Sequence, residues 1–115
     1  MNKFFVLLCV PAASIEEWMK NVDETTRKQQ TDEMMKSWQE WTTKHEAAIV
    51  DKGTSVGKTK RVTSSGATDA RNEVNWYLVV EAESHEAAVE MFIGHPHLVI
   101  PAAYIDISST KHPEM

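Results

Sequence analysis

The chain has 115 residues, 25% charged and 42% hydrophobic, with a net charge of −5 and one cysteine. That is one domain around one core. No basic block is present to grip phosphate, so nucleic acid is excluded as a partner. The longest apolar run falls far short of the ~20 residues a membrane span needs, and a lone cysteine excludes an internal disulfide.

The first element is a strand over residues 3–10. Its run Phe4-Phe5-Val6-Leu7-Leu8-Cys9-Val10 is apolar at every position. A strand with water on one side alternates apolar and polar residues, so this one needs cover on both faces. Only Lys3 stands where a signal peptide would carry its charge, so the stretch reads as a strand and the protein as cytoplasmic. Cys9, inside the run, is expected to be an inert core thiol. Pro11 ends the strand. Ser14 lies three residues before Glu17, a capping-box spacing that opens a short helical turn with Ile15, Trp18 and Met19 on its apolar side. Residues 20–30 are polar and read as a loop or a loose helical extension.

The main helix is expected over 31–46. Met34, Trp38, Trp41 and His45 are spaced four, three and four, and so make one stripe. Asp32–Lys36 and Glu40–Lys44 mark a solvated face, each with the acid N-terminal to the base. Ala47-Ala48-Ile49-Val50 reads as a second strand closed by Asp51-Lys52-Gly53. Lys60–Thr63 reads as an edge strand, Ser64-Ser65-Gly66 as a turn, and Asp69–Asn72 as loop. The next strand, about 74–82, holds Trp76-Tyr77-Leu78-Val79-Val80, again apolar on both sides. Ser84 caps a second helix whose buried side is Ala87, Ala88, Met91 and Phe92; Gly94 ends it and Pro96 blocks its continuation. A last strand covers about 102–108. Residues 1–108 form the domain and 109–115 a polar tail.

Strand, helix, strands, helix, strand is the order of an α+β, ferredoxin-like split βαβ unit, an antiparallel sheet with two helices on one face. The helices cover one face only. The other is left for a second copy, which makes a homodimer through the sheet face the expected assembly and a dimeric α/β barrel the expected architecture.

Four segments carry a resemblance. They are Phe4-Phe5-Val6-Leu7-Leu8, the Met35-xx-Trp38-xx-Trp41 spacing, Trp76 to Ala82 followed by Ser84-xx-Ala87-Ala88, and Gly94-His95-Pro96-His97-Leu98. On these the chain resembles the YCII-related family, in particular its branch named for an Asp-Gly-Pro-Phe motif. The resemblance implies a small dimeric α/β barrel. The Asp-Gly-Pro-Phe motif itself is absent, with Thr68-Asp69-Ala70-Arg71 roughly in its place. The His–Asp pair proposed for some members is also absent: Met34, Met35 and Lys36 stand where the histidine belongs, and His95 where the aspartate does.

Several residues are candidates for chemistry. His95 and His97 flank Pro96, and two imidazoles so placed can share a proton relay or anchor the turn by hydrogen bonds. They do not make a metal site; Asp106 and His112 are the only further ligands to consider, and no cofactor is expected. Asp106 shares a strand face with Tyr104 and Ser108 and is the first general-base candidate, against a carboxylate simply paired at the sheet edge. Trp38, Trp41 and Tyr104 are candidates to hold a small organic ligand, against a stripe that is plain core.

Three functions follow. The first is a cofactor-independent enzyme using His97, His95 and Asp106 in a helix–sheet cleft. The second is a non-catalytic binding or accessory dimer with an aromatic-lined pocket. The third is an interaction module with no pocket. Convergence of His97 and Asp106 on a cavity favours the first. A helix–sheet space filled by Trp38, Trp41 and Met91 counts against both the first and the second.

Overall fold

Strand β1, Asn2–Cys9, is the middle of everything that follows. The computed structural model describes residues 1–111. In it β1 pairs antiparallel with β5, Val74–Ala82, on one side and with β6, Tyr104–Ser109, on the other. Strand β2, Ile49–Ser55, adds to the far edge of β5, giving the order β2-β5-β1-β6. The sheet is open, with β2 and β6 as its edges. The expected barrel does not close among the described residues, because nothing joins those two edges.

The pleat divides β1 into two faces. Phe4, Val6 and Leu8 point inward and are buried, together with Leu78, Val80 and Ala82 of β5. Each buried side chain of this size contributes roughly 1.5–3 kcal/mol. The cover over this inner face comes from helix α3, His85–Phe92, through Ala88 and Phe92, and from Trp41 of helix α2. Ser84 caps α3 as the sequence indicates, its Oγ accepting from the N–H of Ala87 at 3.1 Å. Gly94 takes a positive φ of 75° just past the helix end.

Helix α2 differs from expectation. It runs from Glu24 to Lys44, starting seven residues before the expected residue 31. Asp23 caps it, accepting from the N–H of Thr26 at 3.2 Å and from the Thr26 hydroxyl at 2.6 Å. Polarity over 24–30 marks a helix in water here, since Trp41 is the only buried residue of α2. Helix α1, Ala12–Asn21, is also fuller than a short turn. Ser14 lies inside it and no side chain caps its start, so the Ser14–Glu17 spacing is no capping box. Arg27 of α2 fixes the corner between the two helices by donating to the carbonyls of Met19 (2.6 Å) and Val22 (3.2 Å), and Trp18 Nε1 donates to Gln30 at 2.7 Å. The expected i,i+4 ion pairs on α2 do not close. Among the described residues the salt bridges are Lys60–Asp69 and Arg71–Glu16.

After α2, Glu46–Ala48 form a single 3₁₀ turn, so β2 starts at Ile49 and extends five residues past Val50. Asp51-Lys52-Gly53 lie within the strand as an irregularity in its pairing with β5. Lys60–Thr63 do form a strand, but away from the main sheet. Strand β3, Thr59–Thr63, pairs with β4, Gly66–Ala70, as a separate hairpin, which takes in Asp69, expected in a loop. At the other end β6 absorbs Ser109, and Thr110 Oγ1 donates to Lys3 O at 2.9 Å. The rest of the expected tail, His112 included, lies outside the described residues.

Candidate functional site

The two histidines flank a proline that starts a 3₁₀ turn, Pro96–Val99. His95 caps that turn. Its Nδ1 accepts from the N–H of His97 at 3.0 Å. Neutral His95 therefore carries its proton on Nε2, and that atom is buried with no hydrogen-bond partner among the described residues. Around it stand the rings of Trp41 (centroids 4.5 Å), Trp38 (4.9 Å) and Phe92 (5.7 Å). Burial pushes the His95 pKa down to about 4, and the nearby imidazoles of His97 and His45 act in the same direction. His97 is equally enclosed, at 2% exposure. Its Nε2 donates to the carbonyl of Cys9 at 2.9 Å, tying the turn to the end of β1. Burial lowers its pKa too, opposed by bonds to the backbone of Cys9 and Tyr104.

The tryptophan stripe closes the same space. Trp41 Nε1 donates to the carbonyl of Met91 at 2.9 Å and so pins α2 to α3. Trp38 packs edge-on against Trp76 at 5.8 Å, and Trp76 Nε1 donates to Lys52 O at 2.9 Å. His45 ends the stripe against Trp41 at 4.5 Å, with its Nδ1 bonded to the carbonyl of Trp41 at 3.0 Å. Rings thus occupy the layer between helices and sheet. Two shallow, open surface hollows lie elsewhere, one lined by His85, Glu86, Val89 and Glu90, the other along α2 by Lys36, Gln39, Glu40, Thr43 and Lys44.

Asp106 and Tyr104 sit on the opposite side of the sheet. They alternate with half-buried Ile105 and Ile107 and are exposed, as the shared-face reading of Tyr104, Asp106 and Ser108 requires. No hydrogen bond or ion pair among the described residues links Asp106 to His95 or His97. His95 and His97 are thus together in the turn while Asp106 joins neither, and no ring contact among the described residues joins Trp38 or Trp41 to Tyr104. Among the described residues no three of His, Cys, Asp and Glu gather in an arrangement able to hold a metal ion.

What the outer side does present is an apolar strip with an acidic rim. Phe5, Leu7, Tyr77 and Val79 alternate outward, with Phe5 opposite Val79 and Leu7 opposite Tyr77. Phe5 is 39% exposed, and its ring lies 5.9 Å from that of Tyr77. Glu81 and Asp106 continue the outward register on β5 and β6. Tyr104 donates its phenolic hydrogen to Glu73, which holds the phenol well above its ordinary pKa. Cys9 is 3% exposed beside this pair; burial raises its thiol pKa, Asp106 and Glu73 add to the rise, and a bond from Tyr104 opposes it. The Glu73–Tyr104–Cys9 grouping has no signal in residue spacing. It arises because Cys9 pairs with Val74 on one side and Tyr104 on the other, across a register shift at Leu8/Cys9.

No protein-family model matches the chain, and no curated protein matches it either.

Proposed function

We propose that the protein works as an interaction module with no ligand pocket, a homodimer whose two copies pack their sheets face to face across the outer strip. The observation that carries this reading is the row Phe5, Leu7, Tyr77 and Val79, apolar side chains on a sheet face that no helix among the described residues covers. Such a pairing would complete the two-sided shelter that β1 asks for. It would also build a ferredoxin-like dimeric α/β barrel from two open sheets, in keeping with the resemblance to the YCII-related family. A catalytic role draws little support from the inner layer. There His95 Nδ1 is spent on the turn and His97 Nε2 on Cys9. The rings of Trp38, Trp41 and Phe92 close around His95 Nε2, the ring nitrogen without a partner among the described residues, leaving no space for a substrate.

Sedimentation equilibrium of the purified chain at micromolar concentration tests the assembly. The wild type should sediment as a dimer, with a melting temperature that rises with protein concentration. Val79→Asp should sediment as a monomer, because two desolvated carboxylates would oppose each other at the strip. A monomeric wild type with no concentration dependence sinks the proposal.

A further inference from the structure

The outer strip cannot close on a second copy by apolar contact alone. Glu73, Glu81 and Asp106 rim it, with Lys3 as the nearby cation on β1. In a two-fold pairing both copies bring the same net-negative face to the interface, and like charges at a dehydrating interface oppose association. Cations must come from elsewhere in the chain. The β3–β4 hairpin has them. Residues 58–71 carry Lys58, Lys60, Arg61 and Arg71 against Asp69 alone, a net +3 in a chain of net −5, so the remainder carries −8.

The hairpin is also short of support. Its strands are five residues each, they pair only with each other among the described residues, and Val62 is 80% exposed. A two-stranded hairpin alone in water is marginal. Lys60 is matched across the hairpin by Asp69 at 2.8 Å, and Arg71 reaches Glu16 at 3.6 Å, whereas Lys58 and Arg61 have no ion pair among the described residues.

The surface shows that the hairpin stands away from the body of the chain. The chain exposes 8453 Å². A compact chain of its mass exposes roughly 6,300 Å², and the excess of about 2,000 Å² goes with the separate hairpin and the solvated length of α2. Its radius of gyration is 16.1 Å, against about 13 Å for a compact domain of this length, and its extents are 49 × 45 × 19 Å. The shape is a plate with projecting parts.

We infer that the β3–β4 hairpin is an electrostatic clasp for a second copy of this chain, laying Lys58 and Arg61 against the acidic rim formed by the partner's Glu73, Glu81 and Asp106. This rests on the face-to-face dimer proposed above. Lys58→Glu combined with Arg61→Glu should weaken the dimer at least tenfold in sedimentation equilibrium. The far-ultraviolet circular dichroism should stay that of the wild type, because both side chains are exposed. As an independent readout, equal amounts of ¹⁴N- and ¹⁵N-labelled full-length chains are mixed and treated with a zero-length carbodiimide. Mixed-isotope links should join Lys58 or Lys60 to Glu73, Glu81 or Asp106.

If the wild type dimerises but the double variant does so equally well, the clasp is overturned and the sheet-face dimer stands. The clasp is equally overturned if every lysine link stays within one isotope, which would leave the hairpin to an acidic partner of another kind. A monomeric wild type overturns both.

Discussion

The two buried histidines do different structural work, although both flank one proline. His97 spans 88 residues of sequence to reach the Cys9 carbonyl from inside the core. His97→Ala removes that donor, strands a buried carbonyl and leaves a void. We expect a loss of about 2–3 kcal/mol, read as a lowered urea midpoint. An unchanged midpoint would show that the residue anchors nothing. His95 sets a pH dependence. Its pKa sits near 4, against 6.5 for a free imidazole, so the folded chain refuses a proton that the unfolded chain accepts. Above pH 6.5 both states are neutral and the full stability is present. As pH falls from 6.5 towards 4, the unfolded chain binds more protons and stability drains away, in all by on the order of 3 kcal/mol. Unfolding midpoints across that window should fall steeply in the wild type. The fall should be shallower in His95→Leu, which has nothing to protonate. Equal slopes in the two proteins would remove His95 as the cause.

Among the elements, β2 shows most clearly how one residue governs a strand. Gly53 holds a φ of +71°, and a Cβ placed there would stand 1.5 Å from the carbonyl oxygen of Tyr77. Only glycine lets the irregular stretch of β2 stay against β5. Gly53→Ala should cost more than about 2 kcal/mol and should speed amide exchange along Ile49–Ser55 before the rest of the sheet. A variant with unchanged exchange in that strand would contradict the close approach. Helix α2 makes a different point. Its 21 residues bury one side chain, so its length is set by the Asp23 cap and by local propensity, with packing confined to its C-terminal half. Helix α3 is the opposite case, eight residues long and held at Ala88 and Phe92 by the sheet.

For the whole molecule the governing fact is an imbalance between two sheet faces. The inner one has α3, Trp41 and the histidine turn packed on it. The outer one carries Phe5, Leu7, Tyr77 and Val79 and has no helix over it among the described residues. The expectation of a melting temperature that depends on concentration follows from that.

Much of this was legible in residue order. The doubly apolar run Phe4–Val10 identified the central strand, because water on either side of it would have imposed alternation. Trp38 and Trp41 identified the packed face of α2, with His45 at its C-cap against Trp41, and Ser84 with Gly94 bracketed α3, because caps and periodicity are local physics. Register, distance and filling were decided only by the tertiary structure. Asp106 and His97 lie nine positions apart in sequence, yet the pleat sends Asp106 to the exposed side and the turn buries His97. Glu73 and Tyr104 meet because Cys9 pairs with Val74 in one ladder and with Tyr104 in the other, which brings the residue before Val74 beside the phenol. Local pattern shows which faces must be hidden; which side chains come together depends on long-range strand pairing, and no short-range pattern encodes that.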